Sequence, residues 1–183
     1  MTAKSTNRYL ALLRGINVGG RNIVKMAELR AAFEETGFTE VTTYIQSGNV
    51  LFRAPRQRRE ELAASLESDL TRRFDIELKL VLLTSAQLGR VVDRAPRGFG
   101  GDSHLCDVIF LRKPLTAKKG LALIETREGI DRAWAGPGVL YFSRLAEEKS
   151  KSRLSKIAAL PEYKQMTIRS WGTTKKLHAL IEE

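Results

Sequence analysis

The sequence predicts an α+β protein in which the order of elements βαββαβ occurs twice in tandem, followed by an extra C-terminal helix. Three observations predict it. An apolar strand at residues 9–13 precedes apolar residues at helical spacing over 26–33. A tight-turn signal, Ser47-Gly48, separates two runs rich in β-forming residues. Strand and helix signals return in the same order after residue 104, and this order is that of the ferredoxin-like unit, or α–β plait.

Residues 1–83 are predicted to form the first plait. The strand at 9–13 has few polar side chains, so both of its faces are expected to be buried. Gly37 ends the first helix, and leucines four residues apart from Leu62 to Leu70 give the second helix one apolar face. The predicted elements are strand 9–13, a helix over 26–33, hairpin strands 41–46 and 49–53, a helix from near residue 56 through 74, and strand 77–83.

Residues 84–104 are predicted to connect the two halves. The pattern Thr84-Ser-Ala-Gln87 resembles a capping box and opens a helix that Pro96 ends. Three glycines within residues 97–103 predict a linker or a mobile loop. Residues 105–183 then form the second, basic plait with the terminal helix. Its predicted elements are strand 105–111, a helix over 116–124, strands 131–135 and 139–143, a helix over 151–159, strand 166–170 and a helix over 173–182.

The composition indicates a soluble globular protein. Hydrophobic residues make up 43% and charged residues 28% of the 183 residues, as is usual for that class. No apolar run approaches the ~20 residues that span a bilayer, and the polar N-terminus lacks the apolar core of a signal peptide. A single cysteine excludes an internal disulfide and is typical of a reducing compartment. We therefore expect a cytoplasmic protein with no membrane partner.

The charge is strongly basic and unevenly distributed. Lys and Arg total 31 against 21 acidic side chains, a formal net charge of +10. Residues 84–183 carry +7 of this and residues 1–83 carry +3. A basic balance favours a nucleic acid, a phosphorylated ligand or another anion as the partner. A basic surface that is merely solvated is the alternative.

The first candidate site lies where the first strand ends. A right-handed helical crossover makes the first two strands parallel, so the end of strand 9–13 should lie beside the Ser47-Gly48 turn. The cationic, amide and glycine residues collected there are Arg14, Asn17, Gly19, Gly20, Arg21, Gln46, Ser47 and Asn49. Such groups bind phosphates, carboxylates or an RNA backbone. In the alternative interpretation the glycines serve turns and the polar groups satisfy loop backbone. The glycine spacing matches neither the dinucleotide fingerprint nor the P-loop.

The second candidate site is the basic C-terminal stretch. Its residues are Lys149, Lys151, Ser152, Arg153, Arg169, Trp171, Thr173 and Lys175. Hydroxyls and free N–H groups at the start of a helix can hold an anion, and cations beside an indole suit phosphate contact and base stacking. The alternative assigns the hydroxyls to helix capping, the indole to the core and the lysines to solvent.

Catalytic residues are not evident. His104 and Cys106 lie two residues apart on a predicted strand, so a nucleophile–base pair is conceivable. A small buried thiol is the commoner role for such a cysteine. Two histidines and one cysteine are too few for a typical zinc site. The sequence indicates no cofactor and no metal, and it leaves open whether the protein is an enzyme.

Several stretches resemble one bacterial family. They are LLRGINVGG at residues 12–20, residues 26–29, Gly37-Phe38, TYIQSGNV at residues 43–50, residues 151–154, residues 167–171 and residues 175–177. Over nearly its whole length the chain resembles the domain-of-unknown-function family numbered 1697. The family pattern has Asn where Ser170 and Gly172 stand here. The resemblance implies two α–β plait domains and no established activity, so it transfers no catalytic residues.

Three functions therefore remain open. The net charge and plait topology favour an anion- or nucleic-acid-binding module, although the strands lack the aromatic pattern that RNA-recognition plaits carry on the sheet. A small-molecule-binding protein or enzyme that uses the edge formed by residues 14–21 and 46–49 is the second. An interaction or scaffold protein whose plaits associate through sheet edges is the third.

Overall fold

The structure, a computed structural model, describes residues 5–183 and has a mixed α+β architecture. It contains two four-stranded antiparallel sheets. The chain divides into two compact units, the first comprising Met1–Ala86 with Ala179–Glu183 and the second comprising Gln87–His178. Within the described residues, no helix combines the length and the apolar character that crossing a membrane requires.

The first unit has the element order βαββαβ. Its elements are β1 (Thr6–Arg14), α1 (Met26–Glu35), β2 (Thr39–Tyr44), β3 (Asn49–Pro55), α2 (Arg59–Phe74) and β4 (Lys79–Thr84). The strand order is β2-β3-β1-β4, and all neighbouring strands are antiparallel. The long helix begins at Arg59 and buries Leu62, Leu66 and Leu70, as the four-residue leucine spacing predicts.

Strand β1 is buried on both faces and forms the centre of this unit. Tyr9, Ala11 and Leu13 alternate along one face and pack into the core under α1 and α2. Leu10 and Leu12, on the opposite face, are also fully buried. Each fully buried side chain of leucine size contributes about 1.5–3 kcal/mol of transfer free energy. This burial holds the C-terminal end of β1 rigidly where the glycine-rich loop begins.

The second unit has a sheet with the corresponding strand order, β6-β7-β5-β8. Its elements, with the two helices at its boundaries, are α3 (Ser85–Asp93), β5 (His104–Leu111), α4 (Ala117–Leu123), β6 (Asp131–Gly136), β7 (Val139–Leu145), β8 (Met166–Ser170) and α5 (Trp171–Glu182). Ile109, Leu140 and Phe142 on one face of this sheet form the core with Leu115 and Ile157.

The prediction of a single helix over residues 151–159 is wrong. Three short 3₁₀ helices, Lys149–Lys151, Leu154–Ala159 and Pro161–Gln165, occupy this part of the chain. Ser152 has extended backbone between the first two, and Leu160 is extended before the proline, as the residue preceding proline usually is. The N–H of Arg153 donates to the Asp131 carboxylate rather than to a carbonyl of its own turn. A contact distant in sequence thus replaces the α-helical hydrogen bond here.

The glycine-rich loop at 97–103, predicted as a linker or a mobile loop, packs within the second unit. The Phe99 ring lies against three other aromatic rings, and the N–H of Gly100 donates to the Cys106 sulfur at 3.2 Å. The N–H of His104 donates to the carbonyl of Gly101 at 3.0 Å. These contacts make the loop part of the sheet's covering layer.

Candidate functional site

The first candidate site is assembled where β1 ends beside the β2–β3 turn. Leu12 pairs with Asn49 in the sheet, and the N–H of Leu13 donates to the carbonyl of Gly48 at 2.8 Å. Gly48 has φ of +77°, and a Cβ there would lie 2.7 Å from Cδ1 of Ile16. The turn is therefore pressed directly against the start of the glycine-rich loop.

The Asn17 side chain fastens the loop to the turn. Its Nδ2 donates to the carbonyl of Gln46 at 2.8 Å and to that of Val24 at 2.9 Å. Its Oδ1 accepts from the N–H of Val24 at 2.8 Å. Asn17 has φ of +53°, a left-handed conformation that asparagine adopts more readily than most residues. This amide thus holds two loops together, which is the role that the alternative interpretation gave it.

The glycine pair forms the tip of a small hairpin. Val18 and Arg21 make an isolated bridge, and the N–H of Arg21 donates to the carbonyl of Val18 at 3.0 Å. Gly19 and Gly20 have φ of +57° and +73°. Positive φ at both central positions is typical of a type I′ turn, which glycine tolerates without strain. These glycines therefore shape a turn.

The remaining polar residues of this site differ in exposure. Asn49 is fully buried, and its Nδ2 donates to the Tyr44 carbonyl at 2.9 Å and to Ser47 Oγ at 3.0 Å. Arg21 and Gln46 are exposed, whereas Arg14 is half-buried. The structure thus brings the eight predicted residues together in two adjoining loops and at the strand ends beside them, but it directs both asparagine amides into the loops themselves.

The basic stretch at 149–153 is hydrogen-bonded to an aspartate carboxylate of the same chain. Asp131 is buried, and its Oδ2 accepts from the backbone N–H of Arg153 at 2.8 Å and from that of Arg127 at 3.0 Å. Ser152 Oγ accepts from the N–H of Leu154 at 3.1 Å. Lys151 pairs with Glu148 at 2.7 Å. The backbone N–H of Arg153 is thus already used by a carboxylate of the chain itself.

The start of α5 is capped by Ser170. Its Oγ accepts from the N–H of Thr173 at 3.2 Å, and its carbonyl accepts from the hydroxyl of the buried Thr174 at 2.9 Å. Arg169, at the end of β8, is 9% exposed, and desolvation lowers the pKa of its guanidinium to about 10. Arg169 also donates to the Ile168 carbonyl at 2.9 Å. Thr173 therefore takes part in capping this helix, and Arg169 is buried at the end of β8.

The two parts of the second candidate site lie on opposite edge strands. Asp131 begins β6, and Ser170 ends β8. Two strands lie between them in the order β6-β7-β5-β8, so the separation along the hydrogen-bonding direction is about 14 Å. Residues 149–153 and 169–175 therefore do not form one compact site.

An aromatic cluster surrounds the glycine-rich loop of the second unit. The centroid of the Phe99 ring lies 5.2 Å from that of Trp171, 5.4 Å from Tyr141 and 6.2 Å from Trp134, each in an edge-to-face arrangement. A Cβ at Gly100 would run into the Trp171 indole. Glycine is therefore needed for the loop to seat Phe99 among these rings.

Cations border the aromatic cluster. Lys175 Nζ lies 5.9 Å from the Trp171 ring centroid. Arg132 precedes Trp134 by two residues on β6 and so shares its face of the sheet, and both Arg132 and Arg97 are exposed. We call this set the aromatic–basic surface: Arg97, Phe99, Arg132, Trp134, Trp171 and Lys175.

Three rings of the cluster remain partly accessible to solvent, whereas the fourth, that of Tyr141, is buried in the core. Phe99, Trp134 and Trp171 are half-buried. Tyr141 is fully buried, its hydroxyl donates to the Val91 carbonyl at 2.6 Å, and burial raises its pKa to about 12. Accessible ring faces next to cations can stack bases and contact phosphates.

His104 and Cys106 have separate partners. Ser103 Oγ lies 2.9 Å from His104 Nδ1, whereas Cys106 Sγ accepts from the N–H of Gly100. Desolvation, as the main cause, raises the pKa of the Cys106 thiol, which keeps it protonated and weakly nucleophilic. Across residues 5–183, no group of three His, Cys, Asp or Glu side chains is placed to hold a metal ion.

Comparison with known proteins places the chain in a family. The model of the family described as "Protein of unknown function (DUF1697)" matches residues 6–141. The chain belongs to the DUF1697 family. Among solved structures it is similar to the conserved bacterial protein SP0830 from Streptococcus pneumoniae, with 27% sequence identity, a TM-score of 0.86, and coverage of 97% of this chain and 99% of that one. No functionally curated protein matches the chain.

Sequence reasoning missed two aromatic members of the surface in this DUF1697 protein. Phe99 stands in the segment predicted as a linker, and Trp134 stands in a predicted edge strand. One signal was available, because a phenylalanine flanked by glycines at 98 and 100 is unusual for a solvated linker. Phe99 and Trp171 are far apart in the sequence, so their contact is seen only in the folded chain.

Proposed function

We propose that this DUF1697 protein binds single-stranded nucleic acid through the aromatic–basic surface of its second unit. The observation that carries the proposal is the set of half-buried rings, Phe99, Trp134 and Trp171, bordered by cations. Bases would stack on the accessible indole faces while Arg97, Arg132 and Lys175 contact phosphates. The excess positive charge of residues 84–183 supports the same class of partner.

The proposal also rests on an interpretation of the fold. Each sheet has the order in which the first strand of the unit lies between the third and the fourth, and we interpret both units as ferredoxin-like plaits. RNA-recognition plaits present aromatic residues on the sheet. Here the proposed platform is displaced to edge strand β6, the loop at 97–103 and the start of α5.

The expected affinity and its salt dependence follow from the number of base-stacking and phosphate contacts. Base stacking on an aromatic side chain contributes about 1–3 kcal/mol per base. Three phosphate contacts, one for each cation of the surface, predict that the logarithm of the binding constant falls with the logarithm of salt concentration with a slope of about −2. The expected binding is therefore weak at physiological salt and clearly measurable at low salt.

The two tryptophans provide a direct assay. The chain contains only Trp134 and Trp171, and both belong to the proposed surface. We expect oligo(dT) or oligo(U) of about 12 nucleotides to quench the intrinsic fluorescence. Between about 50 and 200 mM salt the affinity should fall by about 20-fold, as the three-phosphate slope requires.

Matched charge variants locate the binding. Arg132→Ala should weaken binding by about 3- to 10-fold and reduce the salt slope by ~0.7. Lys118→Ala, an exposed cation on α4 that packs on the opposite face of the same sheet, should leave both unchanged. Equal effects of the two variants would overturn the location, and a lack of any quenching at low salt would overturn the function.

A further inference from the structure

Two arginines face each other across the central strands of the first unit. Arg8 on β1 is paired in register with Arg53 on β3, and Thr39 on β2 continues this row. Directly opposed residues in an antiparallel pair have Cβ atoms about 5 Å apart, and like charges at such positions destabilise the sheet. This row lies at one end of the sheet. The glycine-rich loop that follows β1 lies at the other end, where Leu12 pairs with Asn49.

Within residues 5–183, a carboxylate pairs with only one of these two guanidinium groups. Arg53 Nε donates to Glu40 Oε2 at 2.7 Å. Glu40 itself has φ of +50°, a left-handed conformation that is uncommon for glutamate. In the described part of the chain, Glu40 pairs with Arg53 and no acidic side chain pairs with Arg8.

Arg8 has a buried donor that is not satisfied. Its Nε is buried and, within residues 5–183, lacks a hydrogen-bond partner, a state shared only by Asp131 Oδ1 among buried side-chain atoms of that range. A buried donor without a partner is unfavourable, more so when it is charged. Native proteins rarely keep such a group without a ligand, ion or water.

We propose that Arg8 and Arg53 bind a phosphate group. A guanidinium presents Nε–H and Nη–H as a planar fork that matches two oxygens of one anion. A bound water could satisfy Arg8 Nε but would bring no negative charge to the guanidinium that Glu40 does not pair with. A phosphate anion satisfies the donor and supplies that charge, and the exposed Thr39 hydroxyl in the same row offers a further donor. This site is independent of the nucleic-acid surface proposed for the second unit.

Thermal unfolding in phosphate tests the site. At neutral pH and constant ionic strength, replacing chloride with about 20 mM inorganic phosphate should raise the melting temperature of the wild-type protein, because a ligand that binds the folded state stabilises it. Arg8→Gln should abolish the rise, and Arg8→Lys should reduce it, since lysine keeps the charge and loses the fork. Arg56→Gln, at an exposed arginine directly after β3, is the matched control and should retain the full rise.

A second measurement follows the unsatisfied donor itself. In a ¹⁵N–¹H spectrum, the Arg8 Nε–H signal, assigned by its absence in Arg8→Gln, should shift as phosphate is added. Methyl phosphate distinguishes the source: comparable binding assigns the site to phosphate monoesters, and binding of inorganic phosphate alone assigns it to the free anion. An equal rise in melting temperature in Arg8→Gln and wild type, or an Nε–H signal unmoved by either probe, would overturn the proposal.

Discussion

Replacing Asn17 with alanine removes the side chain that joins the glycine-rich loop to the β2–β3 turn. The variant loses three hydrogen bonds, from Nδ2 to the Gln46 and Val24 carbonyls and from the Val24 N–H to Oδ1. It also places alanine at φ of +53°, where the Cβ approaches the following carbonyl. Both effects act on the folded state, so the free energy of unfolding should decrease.

The magnitude follows from these contacts. Two half-buried hydrogen bonds and one exposed hydrogen bond at about 0.5–1.5 kcal/mol each give ~3 kcal/mol. The left-handed backbone adds ~1 kcal/mol for alanine. We therefore expect Asn17→Ala to lower the free energy of unfolding of the first unit by about 4 kcal/mol. Asn17→Gly avoids the backbone cost and should lose ~1 kcal/mol less. Asn17→Asp keeps the acceptor and should protect the Val24 N–H.

Urea unfolding followed by circular dichroism measures this loss. Both tryptophans belong to the second unit, so their fluorescence does not report on this loop. Hydrogen exchange at the Val24 N–H, which donates to Asn17 Oδ1, is the local probe. If Asn17→Ala unfolds within about 0.5 kcal/mol of the wild type and Val24 stays protected, the amide does not hold the loop. The amide would then be available to a ligand.

Three further predictions concern other contacts of the fold. Gly48→Ala should destabilise the first unit by about 2–4 kcal/mol in urea unfolding, because its Cβ would lie 2.7 Å from Ile16 Cδ1 at a positive φ; a neutral variant would show that the turn can move away from β1. Asp131→Ala should cost about 2–4 kcal/mol because two backbone N–H groups lose their acceptor, and Asp131→Asn should cost less because it keeps an acceptor oxygen; equal losses would contradict this account. Burial raises the pKa of Tyr141 to about 12, above the ~10 of an unfolded tyrosine, so its contribution to stability is fully present below pH ~10 and is lost as pH rises toward ~12. Tyr141→Phe should therefore lose less stability than the wild type in urea unfolding between these pH values, and parallel losses would refute the shift.

Much of the fold could be predicted from local patterns. Leucines at four-residue spacing placed the buried face of α2, and the Ser47-Gly48 signal placed the β2–β3 turn, because each depends only on neighbouring residues. The helix expected over 151–159 failed for the complementary reason. The N–H of Arg153 donates to Asp131, which lies 22 residues away in the chain. A local pattern contains no information about such a partner.

The sequence by itself determined the family, the order of elements in the first unit and the position of a polar glycine-rich loop after β1. Only the tertiary structure decided what the polar groups do. Asn17 reaches a carbonyl 29 residues away, and its amide is thereby used to hold loops together. The Phe99 loop, expected to be a linker, meets Trp171 and Trp134 across the second unit. These hydrogen-bond partners and ring contacts join residues that are distant in sequence and become neighbours only when the chain folds. The site proposed for nucleic acid therefore cannot be read from the sequence.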